Sequence, residues 1–252
     1  MSRRIYTRLV GGLGNQLFQY AAGRAAVNTV GGRLIVDGRY VPEPDLLARF
    51  GVQDLVMYAP DMPPHKRQRL AYFTWRALRR APKILREFKT FNLGDPYPEG
   101  SFYLHGYWQY RTLVEAAQIA IAKPASVIVP ARTANEVCLH VRGGDYLTIK
   151  SRRQHAILGA EYYNEAVQKM RADLGDLSIT LFTNDPDHAR SLALDFDYSF
   201  AAPELEADAV TCLWAMAQFK NFVAANSTFS WWASYLAGPD ARVIFPPNLL
   251  VK

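Results

Sequence analysis

Cysteine and long hydrophobic runs are both scarce in this chain. Only Cys138 and Cys212 occur among 252 residues, and both lie within apolar stretches. Two cysteines cannot form a disulfide framework, so we expect reduced thiols in a cytoplasmic protein. The longest uncharged stretch, residues 221–239, holds two asparagines, several hydroxyls, a glycine and a proline, which make it too polar for a membrane span. The amino-terminal residues lack the apolar core of a signal peptide, and we expect none.

Acidic residues are nearly absent from the segment between Lys66 and Lys89, the basic segment. It holds nine basic residues and one acid, Glu87, in a chain whose formal net charge is +6. Apolar residues are interleaved with the basic ones, a pattern typical of a peripheral contact with the inner face of a membrane and equally of a solvated basic helix. No nucleic-acid motif accompanies the charge, so we expect no nucleic-acid partner.

Half of the residues are hydrophobic and 21% are charged, which is typical of a globular protein. In the first half, a strand over residues 5–10, a glycine turn and a helix from Asn15 are followed by a strand over 33–37. The second half alternates strands (137–140, 178–182, 221–225, 242–245) with helices (161–174, 187–194, 208–219, 228–237). This alternation predicts an α/β fold with parallel sheets, divided into an N-terminal lobe, residues 1–130, and a C-terminal lobe, residues 131–252.

A glycine-rich turn, residues 11–16 (GGLGNQ), joins the first strand to the first helix. Gly12, Gly14 and Asn15 could bring backbone N–H groups close to an anionic ligand at the helix start. Leu17 stands where the dinucleotide-binding fingerprint requires a small residue, so this is not that motif. A tight strand-to-helix turn without a ligand is the equally weighted alternative.

Two further motifs follow strand ends in the second half. His140 and Arg142 end one strand, and an arginine there can form a bidentate contact with a phosphate. Asn226, Ser227 and Thr228 end another and start a helix, which aims N–H groups and hydroxyls at an anion. Each motif alone also fits a structural role: a core histidine beside an ion pair, or a helix cap. Together they predict a diphosphate site, because ligands bind at the carboxyl ends of strands in open α/β sheets.

Aspartates 185 and 187 have the Asp-x-Asp spacing of metal-dependent, GT-A-type glycosyltransferases. Pro186 between them favours another interpretation, with Asp185 as a helix N-cap and Asp187 in the first turn. The five histidines show no ligand spacing, so we expect neither a metal site nor a cofactor.

The chain resembles glycosyltransferase family 11, the α-1,2-fucosyltransferases. The resemblance rests on five stretches in the family's order: residues 11–19 (GGLGNQLFQ), 104–109 (LHGYWQ), 140–146 (HVRGGDY), 182–185 (FTND) and 226–232 (NSTFSWW). It implies a GT-B-like fold of two facing Rossmann-type lobes, with the donor site in the C-terminal lobe. It also implies metal-independent, inverting transfer of L-fucose from GDP-fucose to a sugar hydroxyl, the 2-hydroxyl of a galactoside, in glycan or polysaccharide synthesis.

The resemblance also implies roles for individual residues. His140 and Arg142 match the positions that bind guanosine and the β-phosphate, and Ser227 and Thr228 match a phosphate-binding end. The chain departs from the family at Gly143, where a second arginine is usual. It departs again at Cys212, where an acid is frequent and Asp208 lies one helical turn upstream.

The acceptor side and the general base are less defined. Gln16, Tyr107 and Trp108 are candidates for binding a galactose-containing acceptor, which could be lipid-linked, although aromatic residues also serve as core. Asp37 and Asp145 are candidate bases, and the leaving phosphate is an alternative. The competing functions are a metal-dependent GT-A-type glycosyltransferase and a non-catalytic protein that binds nucleotide sugars or anionic lipids.

Overall fold

The computed structural model describes residues 2–42, 44–50, 62–64, 69–77, 81–144, 158–249 and 251–252. The chain forms two compact units, Met1–Pro124 and Ala125–Lys252. The boundary expected at residue 130 therefore falls inside the second unit. Among the described helices, none combines the length and the apolar character that a membrane crossing requires.

The first unit is built on a four-stranded parallel sheet. Its strands are β1 (Arg4–Arg8), β2 (Arg33–Asp37), β3 (Lys83–Arg86) and β4 (Phe102–His105), in the spatial order β2-β1-β4-β3. Its helices are α1 (Leu13–Val30), α2 (Arg69–Ala77) and α3 (Arg111–Ala117), with a 3₁₀ helix at Pro44–Phe50. The strand, turn, helix and strand expected at the start of the chain are confirmed.

Helix α1 packs against the sheet through Gly23. A Cβ atom at Gly23 would lie 2.6 Å from a terminal methyl group of Leu34, so a larger residue there would require the Leu34 side chain to move. The helix ends at Gly31, whose positive φ of 69° and N–H bond to the Val27 carbonyl close the last turn. This end was expected from the sequence.

The second unit is built on a five-stranded parallel sheet. Its strands are β5 (Glu136–Val141), β6 (Ser178–Thr183), β7 (Ser199–Phe200), β8 (Asn221–Val223) and β9 (Arg242–Ile244), in the order β7-β6-β5-β8-β9. The helices are α4 (Ala160–Leu174), α5 (Pro186–Ser191), α6 (Ala209–Met216) and α7 (Thr228–Leu236), with a 3₁₀ helix at Pro203–Leu205. The expected alternation of strands and helices is confirmed to within a few residues at each end, and β7 is the strand that was missed.

Strand β5 lies at the centre of this sheet and is buried along almost its whole length. Val137, Leu139 and Val141 belong to one hydrophobic cluster with Val167 and Leu181, and all five are nearly inaccessible to solvent. A continuous apolar run of this kind is typical of a strand covered on both faces. The central strand is thus packed in the core up to the residue at which the candidate site begins.

Candidate active site

The candidate site of the second unit lies at the point where its sheet changes direction. The chain runs outward from β5 through β6 to β7, and then returns to add β8 on the other side of β5. The carboxyl ends of β5 and β8 are adjacent, with Leu139 paired to Val223. Open α/β sheets bind ligands at this kind of switch point. The residues that follow the two strands, Arg142–Gly144 and Asn226–Thr228, are therefore brought to one edge.

The loop after β5 is held by side chains from the loop after β6. The Gly143 N–H donates to Asn184 Oδ1 at 3.0 Å, and the Gly144 N–H donates to Asp185 Oδ2 at 2.9 Å. A Cβ atom at Gly143 would lie only 2.7 Å from the Cβ atom of Asp185. With Asp185 in this place, an arginine could not replace Gly143 without a backbone shift. The glycine that replaces the family's second arginine therefore stands where a side chain would collide with Asp185.

His140 is buried beside this loop in a neutral state. It is 5% exposed, and burial, with a further contribution from the charge of Arg142, lowers its pKa to about 3. Its ring centroid lies 6.2 Å from that of Phe229 on α7. Within the described residues, no group forms a hydrogen bond with its Nδ1 atom. A neutral imidazole of this kind can donate or accept a hydrogen bond without adding charge.

Ser227 caps helix α7, as the sequence predicts. Its extended backbone (φ −145°) precedes the helix, and its hydroxyl accepts a hydrogen bond from the Phe229 N–H at 3.2 Å. Asn226, Ser227 and Thr228 are each at most 8% exposed. The positive end of the α7 dipole therefore lies at the carboxyl end of β8, where an anion is favoured.

Two tyrosines at the start of α4 support these strand ends, and neither was singled out from the sequence. Tyr162 Oη lies 2.7 Å from the carbonyl oxygen of Ala224, the residue after β8, and 3.1 Å from that of Ile244, the last residue of β9. The hydroxyl of the buried Tyr163 accepts a hydrogen bond from the backbone N–H of Arg142, and burial raises its pKa. Adjacent tyrosines in a helix usually indicate core packing, so the sequence carries no separate signal for this role.

In the first unit, the glycine-rich turn is stabilised by backbone hydrogen bonds of its own and by two glutamine side chains of α1. Gly12 precedes α1, and its carbonyl accepts hydrogen bonds from the N–H groups of Asn15 and Gln16. The Gln16 side chain is 2% exposed and donates to the Gly11 carbonyl at 3.1 Å. Gln19, which sequence reasoning missed, accepts from the Val10 N–H at 2.8 Å. Of the predicted ligand residues here, Gly12 is exposed and Gly14 is buried within α1.

A comparison with family models identifies residues 83–251 as glycosyl transferase family 11. The chain belongs to this family. The match covers both strand-end motifs of the second unit but not the glycine-rich turn at residues 11–16. Membership confirms the resemblance predicted from the five sequence stretches.

Similar curated proteins extend over more of the chain. An alpha-1,2-colitosyltransferase of Escherichia coli is 26% identical over 97% of this chain and 91% of its own length. The O-antigen biosynthesis glycosyltransferase WbnK, also of Escherichia coli, is 25% identical over 97% of this chain and 94% of its own length. A galactoside alpha-(1,2)-fucosyltransferase 1 of Aotus nancymaae is 29% identical over 66% of this chain and 50% of its own length.

Solved structures establish the fold of this family 11 glycosyltransferase. Fucosyltransferase NodZ from Bradyrhizobium aligns with a TM-score of 0.56 at 15% identity, covering 94% of this chain and 93% of its own. POFUT1 in complex with GDP-fucose aligns with a TM-score of 0.52 at 11% identity, covering 100% of this chain and 98% of its own. The prediction of a GT-B-like α/β fold is confirmed by these likenesses and by the two parallel sheets.

The carboxylates that the sequence offered as bases in this glycosyltransferase have different surroundings. Both oxygens of the fully buried Asp37 lie 2.7 Å from the Arg39 guanidinium, and Oδ2 also accepts from the Tyr103 hydroxyl at 2.6 Å. Both oxygens of Asp37 are thus occupied by Arg39 and Tyr103, so the structure does not favour Asp37 as a base. Asp145, the other candidate, lies outside the described residues.

The predicted acceptor residues are not equally accessible. Tyr107 is 50% exposed, whereas Trp108 is 2% exposed and packs edge-on against Phe91 with 6.1 Å between ring centroids. Trp108 and Gln16 are therefore core residues, and their surroundings do not favour direct contact with a sugar. The core alternative that the sequence left open fits Trp108 better.

The Asp-x-Asp pair of this family 11 member forms helix-capping and surface contacts. Asp185 Oδ1 accepts from the His188 N–H at 3.0 Å at the start of α5, with Pro186 in the first helical position. Asp187 forms a surface ion pair with Arg190. The capping prediction is confirmed. Among the described residues, no group of histidine, cysteine and acidic side chains is arranged to hold a metal ion.

Proposed function

We propose that this protein is an inverting fucosyltransferase that transfers L-fucose from GDP-fucose to the 2-hydroxyl of a galactoside. The observation that carries this proposal is the cluster of His140, Arg142 and the α7 start at the switch point of a family 11 sheet. Names of relatives support the linkage, because both an alpha-1,2-colitosyltransferase and galactoside alpha-(1,2)-fucosyltransferases are similar to this chain. The biological role that we propose for this transfer is the synthesis of a surface glycan or polysaccharide.

The second unit is the donor side in this proposal. Arg142 contacts the β-phosphate, which gains charge as the bond to the anomeric carbon breaks, and His140 contacts the guanosine. Ser227 and Thr228 add hydroxyl and N–H donors at the positive end of α7. Groups held in place before the reaction and aimed at developing charge usually provide the largest part of enzymatic rate enhancement. These groups neutralise the leaving GDP without a metal ion.

The reaction itself is a displacement at the anomeric carbon. The acceptor oxygen forms a bond to that carbon as the bond to the β-phosphate oxygen breaks, and GDP leaves with the electron pair. The acceptor proton passes to a base. Because Asp37 is held in a buried pair with Arg39, we assign the proton either to Asp145 or to the leaving phosphate.

The first unit binds the acceptor, with Tyr107 as the accessible aromatic residue from the predicted set. A lipid-linked acceptor would give the basic segment a purpose, since α2 presents Leu70 and Phe73 at 79% and 67% exposure. Exposed apolar side chains on a basic helix are typical of peripheral membrane contact.

The test is an incubation of the purified protein with GDP-fucose and a terminal β-galactoside, in excess EDTA, with mass and linkage analysis of the product. A fucosylated product with an α-1,2 linkage is expected. Loss of transfer in EDTA, restored by manganese, would favour the GT-A alternative. Binding of GDP-fucose without transfer or hydrolysis would favour a non-catalytic binding protein.

A second donor is supported by one comparison. The alpha-1,2-colitosyltransferase matches 97% of this chain, more than the 66% matched by the galactoside fucosyltransferase. GDP-colitose should therefore be assayed beside GDP-fucose at equal concentration. A larger kcat/KM for GDP-colitose would reassign the donor and leave the proposed chemistry unchanged.

A further inference from the structure

The first unit contains a cavity of about 420 Å³ at the carboxyl edge of its sheet. This is within the range of about 300–1,000 Å³ for small-molecule pockets. Among the described residues, its lining combines aromatic, aliphatic and cationic side chains and includes no carboxylate, and the residues that carry the argument are Arg8, Tyr40, Tyr72, Arg86 and His105. Of these positions, only His105 belongs to one of the family's stretches, residues 104–109, where it was a candidate for lining an acceptor pocket.

Strand register explains why the charged residues meet. Arg8 ends β1 and is paired with Asp37 of β2, while Arg86 ends β3 and is paired with His105 of β4. All four strands are parallel, so these four residues form one row across the carboxyl edge of the sheet. The acid in this row is neutralised by Arg39. The edge therefore carries an excess of positive charge.

Arg8 is fixed in place rather than freely extended into solvent. Its guanidinium carbon lies 3.9 Å from the centroid of the Tyr40 ring, and its Nη1 atom lies 2.9 Å from His105 Nε2. Because arginine can only donate, His105 accepts through Nε2 and is neutral in this contact. Among the described residues, no carboxylate forms an ion pair with Arg8 or Arg86.

We propose that this cavity binds a saccharide that carries a carboxylate or a phosphate. The planar guanidinium groups of Arg8 and Arg86 match the oxygens of such an anion. The partly exposed rings of Tyr40 and Tyr72 provide apolar faces for the sugar ring. The assignment of this saccharide to the acceptor rests on the proposed function, whereas the binding itself does not.

The first experiment measures binding by isothermal titration calorimetry without any donor. The probes are methyl β-D-glucuronide for the carboxylate, galactose 1-phosphate for the phosphate and methyl β-D-glucoside as the neutral control. A hydrogen-bonded charge of this kind should favour the anionic probe by about ten- to a hundredfold. The preference should decrease at high salt, because the groups are partly exposed. Equal affinity for the anionic and neutral probes would overturn the proposal.

Matched variants test whether Arg86 binds the anionic group of the saccharide. Arg86→Ala should remove most of the preference, Arg86→Lys should retain part of it, and Lys83→Ala should behave like the wild type. Lys83 begins the same strand, is exposed and does not line the cavity. A preference that is unchanged in a folded Arg86→Ala protein would overturn the assignment.

The two proposals can fail separately. Arg86→Ala should leave the Kd for GDP unchanged, because the donor site is assigned to the second unit. Transfer from GDP-fucose to acidic and neutral galactosides with equal kcat/KM would contradict the acceptor assignment while supporting the proposed function. Binding of the anionic sugar without any transfer would contradict only the proposed function.

Discussion

Acidification from pH 7 to pH 4.5 should destabilise the protein through His140. Burial lowers its pKa to about 3 in the folded chain, whereas an unfolded histidine titrates near 6.5. Between these values the unfolded chain binds a proton that the folded chain does not, so stability falls as the pH falls below about 6.5. Each pH unit in this window costs about 1.4 kcal/mol. At pH 4.5 the accumulated loss from this one residue is on the order of 3 kcal/mol.

The assay is urea unfolding at several pH values for the wild type and for His140→Gln, which cannot gain the proton. Other groups also titrate in acid, but they contribute equally to both proteins. The free energy of unfolding of the wild type relative to the variant should therefore decrease by about 3 kcal/mol between pH 7 and pH 4.5. A difference between wild type and His140→Gln that does not change with pH would refute the reasoning.

Three further predictions concern other parts of the chain. Asp208→Ala should lower the free energy of unfolding by about 1–2 kcal/mol, because Asp208 caps α6 through the N–H groups of Val210 and Thr211; a loss below about 0.5 kcal/mol in urea unfolding would contradict this. Tyr162→Phe should weaken GDP binding in calorimetry, because the hydroxyl positions the end of β8; an unchanged Kd would limit Tyr162 to packing. The wild type should float with anionic vesicles at low salt and not at high salt, and the double substitution of Leu70 and Phe73 to serine should reduce flotation; absence of vesicle binding at low salt would mean that the basic segment, which includes α2 and β3, is only a solvated basic surface.

The second unit was more predictable from sequence than the first, for a physical reason. Its strands are continuous apolar runs, and its site residues follow strand ends directly, so local patterns suffice to place His140 and Ser227. Capping is also local, which is why the role of Asp185 could be predicted from Pro186 beside it. Strand β7 was missed because it has only two residues, too few to show the alternation of apolar and polar side chains that indicates a strand.

Long-range pairing limited prediction in the first unit. For Asp37, one partner, Arg39, is two residues away, but the other, Tyr103, is remote in sequence and was not visible as a contact. The cationic cavity was missed for the same reason, since Arg8 and Arg86 meet only through the register of the parallel strands. The sequence left Trp108 open between core and acceptor site, because an aromatic residue has the same sequence signature in both.

The most direct test of the donor site is steady-state kinetics with GDP-fucose for Arg142→Lys, with a melting curve for each protein. Lysine keeps the charge but loses the planar fork, and Gly143 beside it offers no second arginine. If the contact strengthens as the β-phosphate gains charge, kcat should fall by about 10²–10³ while KM changes much less. Lys169→Ala removes an exposed charge from α4 and should leave both constants unchanged. A folded Arg142→Lys protein with a near-normal kcat would contradict the account.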